Sequence, residues 1–127
     1  ALRAEARGVI AKACGAGAEH VVIFSGSGAT AGLNRIVHLF GVRHAAEQGR
    51  HPLVLVGPYE HHSNILPWRE SGAEVVEIPE GATGGPDLAA LEAQLTAASG
   101  RMVIGAFGAA SNVTGIQTDT KAVTRLL

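Results

Sequence analysis

Aromatic residues are scarce, at 4% of 127 residues. Hydrophobic residues still reach 46%, so a core must be assembled mainly from Ala, Val, Leu and Ile. Cysteine is nearly missing: Cys14 stands alone. A single thiol excludes an internal disulfide and fits a reducing, cytoplasmic setting. As a free cysteine, Cys14 is expected to be a small buried apolar residue. An excess of one charge is also lacking, with 10 basic against 11 acidic residues and a formal net charge of -1. The basic residues are scattered, which leaves no electrostatic footprint for nucleic acid. No run approaches the roughly 18 apolar residues that suggest a bilayer-spanning helix. No charged-then-apolar leader opens the chain, so secretion is not indicated. The chain starts at Ala1 without a methionine and stops at Leu127 inside a helical pattern, with no Gly cap or Pro stop. The expectation is one domain's worth of chain, residues 1–127, cut from a longer protein.

What is present is an alternation of two patterns. Four apolar runs read as strands: Val21–Phe24, Leu53–Val56, Val75–Ile78 and Met102–Ala106. Most are continuous rather than alternating, as in strands buried on both faces. Helical patterns lie between them. Leu33, Ile36, Val37 and Phe40 share one helical face. Asp87 can cap a helix that turns Leu88, Leu91 and Leu95 inward. Thr118 or Asp119 can cap a last helix bearing Val123, Leu126 and Leu127. Residues 2–13 also read as helix. This alternation predicts an α/β fold with a mostly parallel sheet and flanking helices. "EGATGGP", residues 80–86, reads as a flexible turn.

Three stretches carry candidate chemistry. "FSGSGATAGLN", residues 24–34, joins the first apolar run to a helix beginning near Ala29 or Thr30. Gly26 and Gly28 can supply positive φ. Free N–H groups and the helix dipole suit a phosphate there. The spacing Gly26-x-Gly28-x-x-x-Gly32 fits neither the dinucleotide fingerprint nor a P-loop. A purely structural turn explains this stretch as well as a phosphate cradle does.

"GPYEHHSNILPW", residues 57–68, follows the second apolar run and places His61 beside His62. A metal site, an acid/base pair and an aromatic platform compete with a plain loop cap. Adjacent histidines point apart and no second ligand cluster exists, so no metal is expected. No nucleophile elbow accompanies an acid/base role. The third stretch is "GAASNVTG", residues 108–115. In parallel α/β sheets, loops of this kind gather at the carboxyl ends of strands, so all three are expected on one rim.

Taken together, "SGSGATAGLN", "YEHHSNILPW" and "AASNVTG" resemble, in order and spacing, the large domain of class V aminotransferases and cysteine desulfurases. These are fold-type I enzymes that use pyridoxal 5′-phosphate. The resemblance covers nearly the whole chain, and the Glu-His-His-x-Asn-x-x-Pro-Trp stretch is its most specific part. It implies that Gly28, Ala29 and Thr30 bind the cofactor phosphate. It implies that His61 stacks on the pyridine ring and can assist proton transfer. Asn112 matches the asparagine that bonds the cofactor's phenolic oxygen. Glu60, Asn64, Pro67 and Trp68 would shape the loop. His62 receives no role.

The resemblance also implies a parent enzyme, a homodimer, acting on an amino-acid substrate as a transferase, desulfurase or lyase. The family's Schiff-base lysine stands in a Ser-x-His-Lys context, and Lys12 and Lys121 stand in no such context. The pyridine-nitrogen aspartate and the small C-terminal domain have no counterpart in residues 1–127. Cys14 does not match the desulfurase cysteine. The chain alone is therefore expected to be inactive. Two other readings stand beside this one: a non-catalytic module for a phosphate-bearing ligand, and an interaction remnant pairing through an exposed sheet edge.

Overall fold

A computed structural model describes residues 1–127. Its centre is the strand β1 (Leu53–Val56), paired in parallel on one edge with β2 (Glu74–Glu77) and on the other with β3 (Val103–Ala106). Val54 lies opposite Val75 and Ile104, which fixes the register on both sides. All four β1 residues are buried. Successive side chains of a strand point to opposite faces, and both faces here are covered. Val54 and Val56 pack with Ile104, Ala106, Val37, Val42 and Trp68. Those last three come from α2 (Gly28–Leu39), α3 (Val42–Glu47) and α4 (Leu66–Glu70). Leu53 and Leu55 pack on the other side with Ile78, Leu91, Ala98 and Val123. Leu91 belongs to α5 (Leu88–Ala97) and Val123 to α6 (Thr120–Leu126). The result is helix, sheet, helix in three layers, the α/β architecture expected from the alternation.

Local chemistry sets the element ends. Asp87 Oδ1 accepts from the N–H groups of Ala89 (2.9 Å) and Ala90 (3.1 Å), capping α5. Asp119 accepts from Ala122 N–H at 3.0 Å and caps α6. Pro67 sits in the first turn of α4, where its missing N–H leaves no broken bond. At the amino ends of the strands, Arg101 donates to the Glu74 carboxylate (2.6 Å) and to the His51 carbonyl (2.7 Å). One guanidinium thus ties together the approaches to all three strands.

Five expectations are corrected. Val21–Phe24 is not a strand. Residues 21–24 form no backbone hydrogen bonds with the sheet, although the outer edges of β2 and β3 are open. That segment instead lies along α1 (Leu2–Ala13), where the Arg7 guanidinium sits 5.7 Å from the Phe24 ring centroid. Val21 and Ile23 are consequently exposed. Cys14 is exposed too, because α1 buries none of its residues. The α2 face is only partly covered: Val37 is buried, Leu33 is half-buried, and Ile36 and Phe40 are exposed. Residues 57–68 are more ordered than a plain loop, with a 3-10 turn over His62–Asn64 leading into α4. Finally, the 80–86 turn is closed by the Gly81 N–H to Gly85 carbonyl bond of 2.9 Å and a bridge between Glu80 and Pro86.

Truncating Leu55, fully buried in the middle strand, leaves a cavity that its neighbours cannot close. Leu55→Ala is expected to lower stability by roughly 2–5 kcal/mol, measured by urea unfolding. Ile23→Ala, on the exposed segment, should stay within about 0.5 kcal/mol.

Candidate functional site

The loops leaving the carboxyl ends of β1 and β3 are joined by one carboxylate. Glu60 accepts from the Gly108 N–H and from Asn64 Nδ2 at 2.7 Å. Asn64 Nδ2 also donates to the Ala106 carbonyl at 3.0 Å, and its Oδ1 accepts from Trp68 Nε1 at 3.3 Å. Glu60 and Asn64 therefore bridge from the β1 loop to the end of β3, while the buried indole anchors Asn64 to α4. The neighbouring glycines make room for this carboxylate. A Cβ on Gly57 would stand 2.7 Å from Glu60 Oε1, and one on Gly108 would stand 3.1 Å from Oε2. These contacts give Glu60, Asn64 and Trp68 the loop-shaping part expected of them.

The β3 loop has its own scaffold. Ser111 Oγ, buried, accepts from the N–H groups of Val113 (3.2 Å) and Thr114 (3.1 Å). The Ser111 N–H donates to the Ile116 carbonyl at 2.8 Å, and Ala110 bridges to Gln117. Asn112 projects at the tip of this braced turn and is exposed. Opposite it stands His61, whose side chain caps the 3-10 turn. Its Nδ1 accepts from the Ser63 N–H at 3.1 Å and lies 2.9 Å from Ser63 Oγ. His61 and Asn112 line one open cavity of about 300 Å³, together with Tyr59, Glu60, His62 and Ser111. That is the lower end of ligand-sized pockets.

The rings of His61 and His62 are 6.2 Å apart at 68°, edge to face. No group of three or more His, Cys, Asp or Glu side chains is placed to hold a metal ion. Gly28, Ala29 and Thr30 form the exposed first turn of α2. Gly26 and Gly28 both take positive φ, 111° and 69°. The Ser27 side chain leaves the α2 end uncapped, and a Cβ at Gly28 would meet nothing within 4 Å. These three residues do not line the His61–Asn112 cavity. The rim thus unites two of the three expected loops, while α2 packs beside the 3-10 turn and α4. The third loop was expected to arrive on a sheet strand; it forms none, and its helix reaches the rim only through packing of α2 on the 3-10 turn.

A different loop arrives there instead. Tyr59 Oη is buried and meets hydrogen-bond geometry with no partner. The Glu80 carboxylate beside it, followed by burial, raises its pKa above the ordinary value, and the Gly85 backbone partly opposes this. Glu80 and Gly85 belong to the turn after β2, so all three strand ends feed this edge. Sequence reasoning overlooked Tyr59 and Glu80. The only usable signal was that Tyr59 is the single tyrosine and directly precedes the Glu-His-His stretch.

The family model for aminotransferase class-V matches residues 1–127. A probable cysteine desulfurase of Vibrio cholerae serotype O1 is 37% identical, over 93% of this chain and 28% of that protein. The chain belongs to the class-V aminotransferase family. It spans a little over a quarter of that relative's length. No solved structure matches it. None of its helices is long and apolar enough to cross a membrane.

Two outcomes are expected of the rim. Glu60→Ala should leave the Gly108 N–H without its acceptor and take one of two acceptors from the Asn64 amide, at a cost of about 1–3 kcal/mol. Hydrogen exchange at Gly108 should accelerate accordingly, and unchanged exchange would refute the bridge. The second concerns pH. A raised Tyr59 pKa means that the folded state holds the neutral phenol more tightly. Its stabilising contribution is complete below the unfolded value near 10. It is lost as pH rises through the higher folded value. Phenolate absorbance reports this residue alone, since the chain has one tyrosine. Its midpoint should lie above that of free tyrosine and fall in Glu80→Gln.

Proposed function

We propose that this chain is the cofactor-holding part of a pyridoxal-phosphate enzyme that acts on an amino acid. The observation that carries this reading is the placement of His61 and Asn112 on one cavity at the carboxyl edge of a parallel sheet. Family membership and the desulfurase relative support it, and the relative favours desulfurase chemistry over transamination. The donors present fit the cofactor's groups. Uncapped N–H groups of Gly28, Ala29 and Thr30, with the Thr30 hydroxyl, suit a phosphate. A flat imidazole at His61 suits an aromatic ring. The Asn112 amide suits a phenolic oxygen. When bound, the cofactor supplies an electron sink for the substrate's α-carbon. The chain's own residues bind and orient it.

Neither lysine is placed to hold the cofactor covalently at this cavity. Lys12 lies in the last turn of α1, and Lys121 lies on α6; both are exposed and outside the cavity lining. We therefore expect binding without a covalent link, and no desulfurase, lyase or transaminase turnover by the chain on its own.

A second reading is a module that grips only a phosphate-bearing ligand at the α2 end. It is favoured by the absence of Gly28–Thr30 from the lining of the His61 cavity. Equilibrium dialysis with pyridoxal 5′-phosphate separates the two. Under the first reading, Gly28→Val and His61→Ala each weaken binding. The histidine change should cost roughly 2- to 10-fold, from a ring contact worth about 0.5–1.5 kcal/mol. Under the second, only Gly28→Val matters. Turnover by the purified chain with added cofactor would contradict the first reading's account of the lysines.

A further inference from the structure

His61 offers a ligand one ring nitrogen, because the other is already engaged. The Ser63 N–H reaches His61 Nδ1 at 3.1 Å, and Ser63 Oγ lies 2.9 Å from the same atom. A backbone N–H can only donate, so Nδ1 must accept, and the ring proton of neutral His61 must sit on Nε2. The hydroxyl then donates to Nδ1 as well. Both contacts arise within the cap of the 3-10 turn, with His61 in extended conformation at φ -68° and ψ 146°. The adjacent His62 has no such pair of contacts. Its ring stands edge-on to His61, 6.2 Å away.

We propose that Ser63 is a positioning residue that holds His61 in its Nε2–H tautomer, so that His61 meets its ligand as a hydrogen-bond donor. The group it recognises is then an acceptor, such as a carboxylate or phenolate oxygen. Resting on the cofactor reading, this makes the ring of His61 a platform whose edge carries a proton and no free lone pair. Neutral His61 accordingly takes no proton from a bound amino acid until its hold on Ser63 is broken.

The test is made on the ligand-free, nitrogen-15-labelled chain at a pH above imidazole titration. Long-range proton–nitrogen spectra read the tautomer of each ring, and His61→Gln identifies the His61 signals. The expected result is a His61 population at least ten-fold in favour of Nε2–H, with a smaller bias at His62. Ser63→Ala removes the hydroxyl donor and should reduce that ratio at His61 at least three-fold. Ser63→Thr, which restores a hydroxyl, should recover it. An Nδ1–H majority in the unaltered chain overturns the proposal without any variant. So does a Ser63→Ala chain whose His61 ratio is unchanged. Because no cofactor is added, the outcome judges Ser63 separately from cofactor binding, which the dialysis experiment decides.

Discussion

The pairing of β1 on both edges is the constraint on which everything else rests. Leu53–Val56 has a strand on each side and a helical layer on each face. Its backbone groups are satisfied in the ladder, and its side chains leave no surface to water. Neighbouring strands stand about 4.8 Å apart. The loops leaving β1 and β3 therefore start within a small molecule's width of each other. The order β2-β1-β3 adds a second consequence. The chain leaves β1 through α4 on one face, then crosses from β2 to β3 through α5 on the other. Such a reversal opens a crevice at the carboxyl ends of the strands. His61 and Asn112 occupy that place.

Proximity alone does not hold two loops in register. Glu60 does so by spending its carboxylate on a backbone N–H of one loop and a side-chain amide of the other. Asn64 extends this to the Ala106 carbonyl and to the Trp68 indole, which is buried against β1. A half-satisfied polar network is worse than an apolar contact. This one has donors and acceptors matched at each step. Gly57 and Gly108 matter for what they omit, since a Cβ on either would crowd the carboxylate. Rim geometry thus follows from core geometry through one indole and one carboxylate.

Much of this was legible in the sequence. The unbroken run Leu53–Val56 announced a strand buried on both faces, Asp87 announced one helix, and the last was announced by Thr118 or Asp119, of which Asp119 is the cap. The shaping of the loop by Glu60, Asn64 and Trp68 followed from the resemblance. Val21–Phe24 was misread for a physical reason. A β-branched run states a preference for extended backbone, but a strand exists only where the backbone pairs; residues 21–24 leave the open edges of β2 and β3 unused, and pairing is not written in the run itself. Cys14 was misjudged in a related way: thiols are usually buried, yet α1 has no buried face here. Tyr59 and Glu80 could not be joined by inspection. Twenty-one positions separate them, and only the return of the chain after β2 brings the carboxylate to the phenol.

The double histidine shows why a structural and a chemical explanation need not compete. His61 caps a 3-10 turn, as a plain loop residue would. The cap consumes Nδ1, and that alone determines what the ring can still do. A free imidazole can rotate and offer either nitrogen. A capped one has a fixed plane, a fixed proton and one exposed polar atom. A flat platform for a cofactor needs the first of these, and selective recognition needs the other two. His62, one residue on, lacks the cap and gains no such definition. The local bond that first suggests a bland role therefore also sets the orientation of the His61 ring, which its neighbour lacks.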